Sequence, residues 1–145
     1  MAIKAGVGTK LKMSATQPSD WSTVNPIANI TNITGLGMSK DTIDTTALDT
    51  TGGYRTFITG FKNPGTLTFT LMFDSAGYKT LKDSFDSDSP YYIQIELPDK
   101  GTSHGSRFTF QGLVTEIPLT IPPDDKITCD VTIQISGSVT FEQAA

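Results

Sequence analysis

Cysteine, histidine and tryptophan each occur once in this chain of 145 residues, and charge is sparse. Each scarcity removes a class of function. Cys129 alone cannot close an intrachain disulfide, so the fold does not lean on an oxidising compartment. One histidine and one cysteine cannot supply a usual zinc ligand set. Charged residues make up 18% of the chain, with a formal net charge of −4 and a sequence pI of about 4.7. Tight wrapping of DNA or RNA needs clustered lysine and arginine, which are missing. An acidic wall repels phosphate, so it suits nucleic acid that moves past without sticking. No apolar run approaches the length of a membrane span. The opening MAIKAGVGTKLKMS lacks the apolar core of a signal peptide, so folding in a cytoplasm is the expectation.

Catalytic signatures are also absent. His104 sits in KGTSHGS with no partner motif and reads as a solvated loop residue. Cys129 falls on a run of core positions and reads as a small buried apolar residue. Asp83, Asp86 and Asp88 in DSFDSDS lack the glycine-containing loop and bidentate glutamate of a calcium hand, and read as a solvated helix end. GVGT (6–9) is followed by no helix and no phosphate-loop lysine. The NIT triplets at Asn29 and Asn32 matter only in a secreted chain. No catalytic, metal or cofactor residue is therefore assigned, and no cofactor is expected.

What is present is threonine, glycine and short apolar alternation. Apolar residues make up only 37%. Threonine is β-branched and suits a half-buried pleated surface, which points to an all-β fold. The length suits one domain over 1–145, with no internal repeat or linker. TLTFTLMF (66–73) alternates strictly and predicts an amphipathic strand facing Leu67, Phe69, Leu71 and Phe73 inward. The flanking NPG predicts a turn, and 54–61 a further strand. DSAGYKTLKDSF predicts the single helix, capped by Asp74 or Ser75, with Tyr78, Leu81 and Phe85 as its apolar stripe. Weaker strands are expected at 3–13, 27–33 and 91–97. Another is expected at 107–117, with a bulge at Gly112. Residues 127–141 read as one strand that would span about 50 Å at the usual rise. Trp21 is placed on a polar loop.

The segment from Ser39 to Gly53 is anomalous. Asp and Thr alternate in short runs before Gly-Gly, and both side chains favour turns by bonding nearby backbone. The expectation is a long polar loop at about 39–53, which usually means binding or mobility.

The stretch LDTTGGYRTFITGFKNPGTLTFTLMFD resembles the central segment of the major tail tube proteins of long-tailed bacteriophages. Asp49, Gly53, Arg55, Gly60, Gly65 and Asp74 occupy the family's loop, basic, turn and helix-entry places. FTFQGLVTEIP and IQISGSVTF resemble its later strands. Asn63–Pro64 departs from the family, where an acidic residue is common. The resemblance implies a two-sheet β-sandwich or barrel of the tail tube type with a flanking helix. It implies hexameric rings stacked into a tube that conducts the genome, and no enzymatic activity. The implied partners are further copies of the chain, tape measure, tail terminator and tail-tip proteins, with DNA passing through unbound and no membrane. The implied location is the virion tail, after assembly in the bacterial host cytoplasm. Asp41, Asp44, Leu48, Asp49, Gly53, Tyr54 and Arg55 become the expected contacts between subunits or rings, with Arg55 pairing an acid on a neighbour. The alternatives are a tail terminator or secretion-system tube protein of similar fold, and a monomeric β-sandwich binding module.

Overall fold

A computed structural model describes residues 6, 8–48 and 51–145. The strands are β1 (Lys10–Ser14), β2 (Ile30–Gly35), β3 (Ser39–Asp44), β4 (Phe57–Asn63), β5 (Thr66–Met72), β6 (Tyr91–Glu96), β7 (Arg107–Glu116), β8 (Leu119–Thr120) and β9 (Thr128–Glu142), with one helix, α1 (Ser75–Asp86). The main sheet runs β1-β6-β7-β9-β5-β2, and β8 pairs the start of β9. Every pairing is antiparallel. The sheet curls until its two edges approach: the amide of Ile27, just before β2, donates to Leu11 O of β1 at 2.9 Å. β3 and β4 form a separate two-stranded sheet. The expected all-β architecture with one helix is thus realised as a large curled sheet and a small hairpin.

Alternation builds the core. Leu67, Phe69 and Leu71 of β5 stand opposite Ile133, Val131 and Cys129 of β9, all buried. Ile93 pairs Phe110, and Leu11 and Met13 pair Ile95 and Ile93, which carries the same face across the sheet. Leu81 closes the core from α1. Burial pushes the Cys129 thiol up from its ordinary value, and Asp130 adds to the shift, which suits a packing role.

The helix is capped as the sequence suggests, with Asp74 Oδ2 accepting from the Gly77 amide at 3.1 Å. Its buried line differs. Gly77, Leu81 and Ser84 face inward, whereas Phe85 is 45% exposed beneath the Lys82 ammonium. Gly77 allows this rotation, because a Cβ there would lie 3.3 Å from Ile27 Cγ2. The acidic helix end is held by Lys79–Asp83 and Lys82–Asp86 pairs at 3.0 and 2.7 Å.

Four other expectations are corrected. Ser39–Asp44 is a strand, because β4 offers the ladder that its Asp and Thr side chains otherwise compete with. β4 begins at Phe57 and runs to Asn63, later than the sequence suggested. Gly112 pairs regularly with Tyr91 and Ile135, and the register breaks between Thr109 and Gln111, opposite Gly137 at φ +83°. Gly112 is needed for packing: a Cβ would meet Ile133 Cγ2 at 2.6 Å. Finally, His104 is not solvated. Its Nε2 lies 3.1 Å from Glu142 Oε1, and its Nδ1 lies 2.8 Å from Gly105 O. Arg107 shares the same Glu142 at 3.8 Å. His104 therefore ties the far end of β9 to the 98–106 loop, a contact between residues distant in sequence.

Gly112→Ala should destabilise the fold by about 1–3 kcal/mol, since the added methyl overpacks a core without slack. Urea denaturation checks this, with an unchanged midpoint counting against the packing role.

Candidate assembly surface

β3 and β4 leave the curled sheet through a narrow neck. Gly35 has φ +148° and Gly65 φ +82°. A Cβ on Gly35 would sit 2.6 Å from Thr66 O, and one on Gly65 would sit 2.9 Å from Gly37 O. Only glycine fits two backbones so close. Asn63 Oδ1 accepts from the Gly65 amide at 2.9 Å and completes the turn into β5. Beyond the neck the two strands pack chiefly on one another.

This arm carries large apolar side chains with nothing over them. Met38, Ile43, Phe57 and Ile58 are about half exposed, and Phe61 is 89% exposed. Ile43 and Ile58 are directly opposed, as are Asp44 and Phe57. Gly60 and Phe61 together oppose Asp41, forming a bulge that brings Lys62 opposite Lys40. An isolated hairpin is marginal in water, and a bare apolar patch on a soluble chain marks a contact surface.

Hydrogen bonds set the arm's outer end. Asp44 Oδ1 accepts from the Thr46 amide at 2.9 Å, and Arg55 Nη1 lies 3.2 Å from Asp44 Oδ2. The amide of Thr45 donates to Thr56 O at 2.9 Å, and the Thr56 amide to Thr46 Oγ1 at 2.8 Å. Gly53 has φ +73°, where glycine is favoured.

The sequence-based contact residues mostly lie on this arm. Asp41 faces the bulge, Asp44 and Arg55 pair with each other, and Leu48 and Tyr54 are exposed near the outer end. Asp49 lies outside the described residues. Arg55 thus finds its acid within its own chain. The sequence reading missed Met38, Ile43, Phe57, Ile58 and Phe61. Their signal was present: Phe57 and Ile58 are adjacent, so a strand of theirs is apolar on both faces, and such a strand is either central or uncovered.

No cluster of three His, Cys, Asp or Glu able to hold a metal occurs among the described residues. A cleft inside the curl is lined by Ile30, Ile33, Leu36, Leu67, Ile95 and Phe108 among others, and no acidic, basic or histidine side chain lines it among the described residues.

The protein-family model described as phage tail tube, TTP, lambda-like matches residues 6–145. The chain belongs to this phage tail tube family. Solved structures of similar fold agree. A chain in the virion of a native gene transfer agent particle superposes with a TM-score of 0.73 at 17% identity, covering 97% of this chain and 99% of that one. The SPP1 tail tube gives 0.66 at 9% identity, over 93% and 76%. The sheath–tube complex of an extracellular contractile injection system, PVC, gives 0.67 at 14%, over 94% and 88%. At these identities the likeness is one of fold. No curated protein sequence matches the chain. Among the described residues, Met38, Ile43, Phe57, Ile58 and Phe61 give the arm and its base a concentration of exposed large apolar side chains.

Asp44 offers a direct test of the arm's outer end. Its hydrogen bonds from Thr46, with a smaller pull from Arg55, lower its pKa from the ordinary 3.8. A depressed folded value means that the tie is complete above about pH 4 and is lost as pH falls through that lower value. An NMR titration should place the Asp44 midpoint below 3.8. Asp44→Ala should speed exchange of the Thr46 amide, and a midpoint at or above the ordinary value would contradict the tie.

Proposed function

We propose that this tail tube protein builds stacked hexameric rings through its β3–β4 arm, and that the resulting tube conducts a phage genome. The observation that carries the reading is the arm, an apolar hairpin held out from a core that is already complete without it. A surface of that kind is stable only when covered, and covering it with further copies makes a ring or a filament. The tail of an empty gene transfer agent particle, solved with C6 symmetry, has a similar chain at a TM-score of 0.71 and 17% identity, which supports six subunits per ring. The net charge of −4 suits a lumen that must release DNA.

In this reading Asp41, Asp44, Leu48, Asp49, Gly53, Tyr54 and Arg55 join Phe57, Ile58 and Phe61 at subunit and ring contacts. Tape measure, tail terminator and tail-tip proteins are the partners in the virion. Assembly takes place in the bacterial host cytoplasm. The role is structural, as the family is, and no catalytic step is assigned.

A tail terminator is the second reading. A chain in the structure of the anti-feeding prophage tube-terminating cap has a similar fold, with a TM-score of 0.67 at 14% identity. The two differ in growth: a terminator stops at one ring, whereas a tube subunit keeps stacking.

Negative-stain microscopy over a concentration series should show tubes about ten nanometres across, the width expected when domains of this size surround a lumen. Phe57→Ser with Phe61→Ser should leave thermal unfolding within about 0.5 kcal/mol of the parent, since both side chains are exposed, and should abolish tubes. Persistent monomers of the parent chain at high concentration would overturn the proposal, and single rings that never stack would favour the terminator.

A further inference from the structure

Two unpartnered surfaces lie at opposite ends of the β5–β9 ladder, and their chemistry is complementary. The first is the base of the arm. Lys40 and Lys62 are directly opposed across β3 and β4 and exposed. Neither joins an ion pair among the described residues. Like charges directly opposite weaken a strand pair, so an acidic partner would relieve a local cost. Met38 shares a groove with both lysines, and exposed Phe61 precedes Lys62 on the bulge.

The second surface is the shelf formed by 119–127. Leu119, Ile121 and Ile127 are exposed there. Asp124 and Asp125 are exposed on the same stretch. Asp124 joins no ion pair among the described residues, and Asp125 reaches only its neighbour Lys126 at 3.9 Å.

The strand registers separate the two. The β5–β9 ladder begins at Thr66 opposite Gln134, next to the Asn63–Gly65 turn from which the arm departs. It ends at Met72 opposite Thr128, and Thr128 also pairs Thr120 at the rim of the shelf. About 20 Å of strand lies between. A basic apolar surface at one end of a subunit and an acidic apolar surface at the other meet between copies. The contact is heterologous and so repeats along a stack.

We infer that the base of the arm docks on the 119–127 shelf of the next copy, with Lys40 and Lys62 meeting Asp124 and Asp125 around Met38, Phe61, Leu119 and Ile121. The charges set register and encounter rate, and the apolar centre supplies burial. This rests on the tube reading above and names the surface that receives the arm.

Reciprocal charge reversal in the full chain tests it. Lys40→Glu with Lys62→Glu should raise the concentration at which tubes form by about tenfold or more, with unfolding temperature unchanged. Asp124→Lys with Asp125→Lys should do the same. An equal mixture of the two variants should restore tubes, because each arm then finds a shelf of opposite sign. Phe61→Cys with Ile121→Cys should give an intermolecular disulfide on mild oxidation of assembled tubes, against a silent background, since Cys129 is buried. If tubes form normally in both reversal variants and no Phe61–Ile121 bridge appears, the docking inference falls and the tube reading stands. A disulfide-linked dimer from Phe61→Cys alone would mean that arm meets arm, and would also overturn it. Absence of assembly by the parent chain would take down both.

Discussion

The β3–β4 ladder has no core beneath it, and none of its residues is buried. Backbone hydrogen bonds alone rarely hold a two-stranded ribbon in water, because their net contribution is small against the entropy of ordering. The arm adds local ties at its outer end, where Asp44 gathers Thr46 and Arg55. Those ties are solvent-exposed and each stabilises little. Most of the stabilisation still open to the arm therefore lies in burying its exposed apolar side chains.

The curled sheet makes such an arm tolerable. Its core from Leu11 to Ile135 is closed by the approach of its own edges and by Leu81 of the helix. The subunit therefore folds around side chains that the arm does not use. The two parts meet at a neck where glycine is required, at Gly35 and Gly65, because the crossing backbones leave no room for a Cβ. In the proposed assembly, folding and association therefore use different residues.

Strand β9 connects these features. Its first half carries Cys129, Val131, Ile133 and Ile135 into the core. Past Gly137 it continues beyond the end of β5, with the Phe141 ring tilted against Phe108 at 5.1 Å between centroids and Glu142 held by His104 and Arg107. The groove between this outer half and the base of the arm is lined by Lys40, Lys62 and Val139. The excess length of the strand thus forms one wall of the surface through which copies are proposed to meet.

The core strands and the helix cap were legible without coordinates, because period-two alternation and an Asp before a helix are local signals. The all-β class and the family's ordered glycines were legible for the same reason. The candidate site was legible only in part: Asp41, Asp44, Tyr54 and Arg55 stood out as polar or aromatic residues in an odd segment, while Phe57, Ile58 and Phe61 passed for ordinary strand residues. Whether such residues are covered depends on which strands lie beside them, and that is decided by pairing across the fold. The same holds for Ser39–Asp44, which becomes a strand only because β4 presents a ladder. It holds too for His104, whose partner Glu142 lies 38 positions away along the chain. Local periodicity determined the elements. Tertiary pairing decided which of their faces were left for another molecule to cover, since burial is a property of neighbours that sequence order does not name.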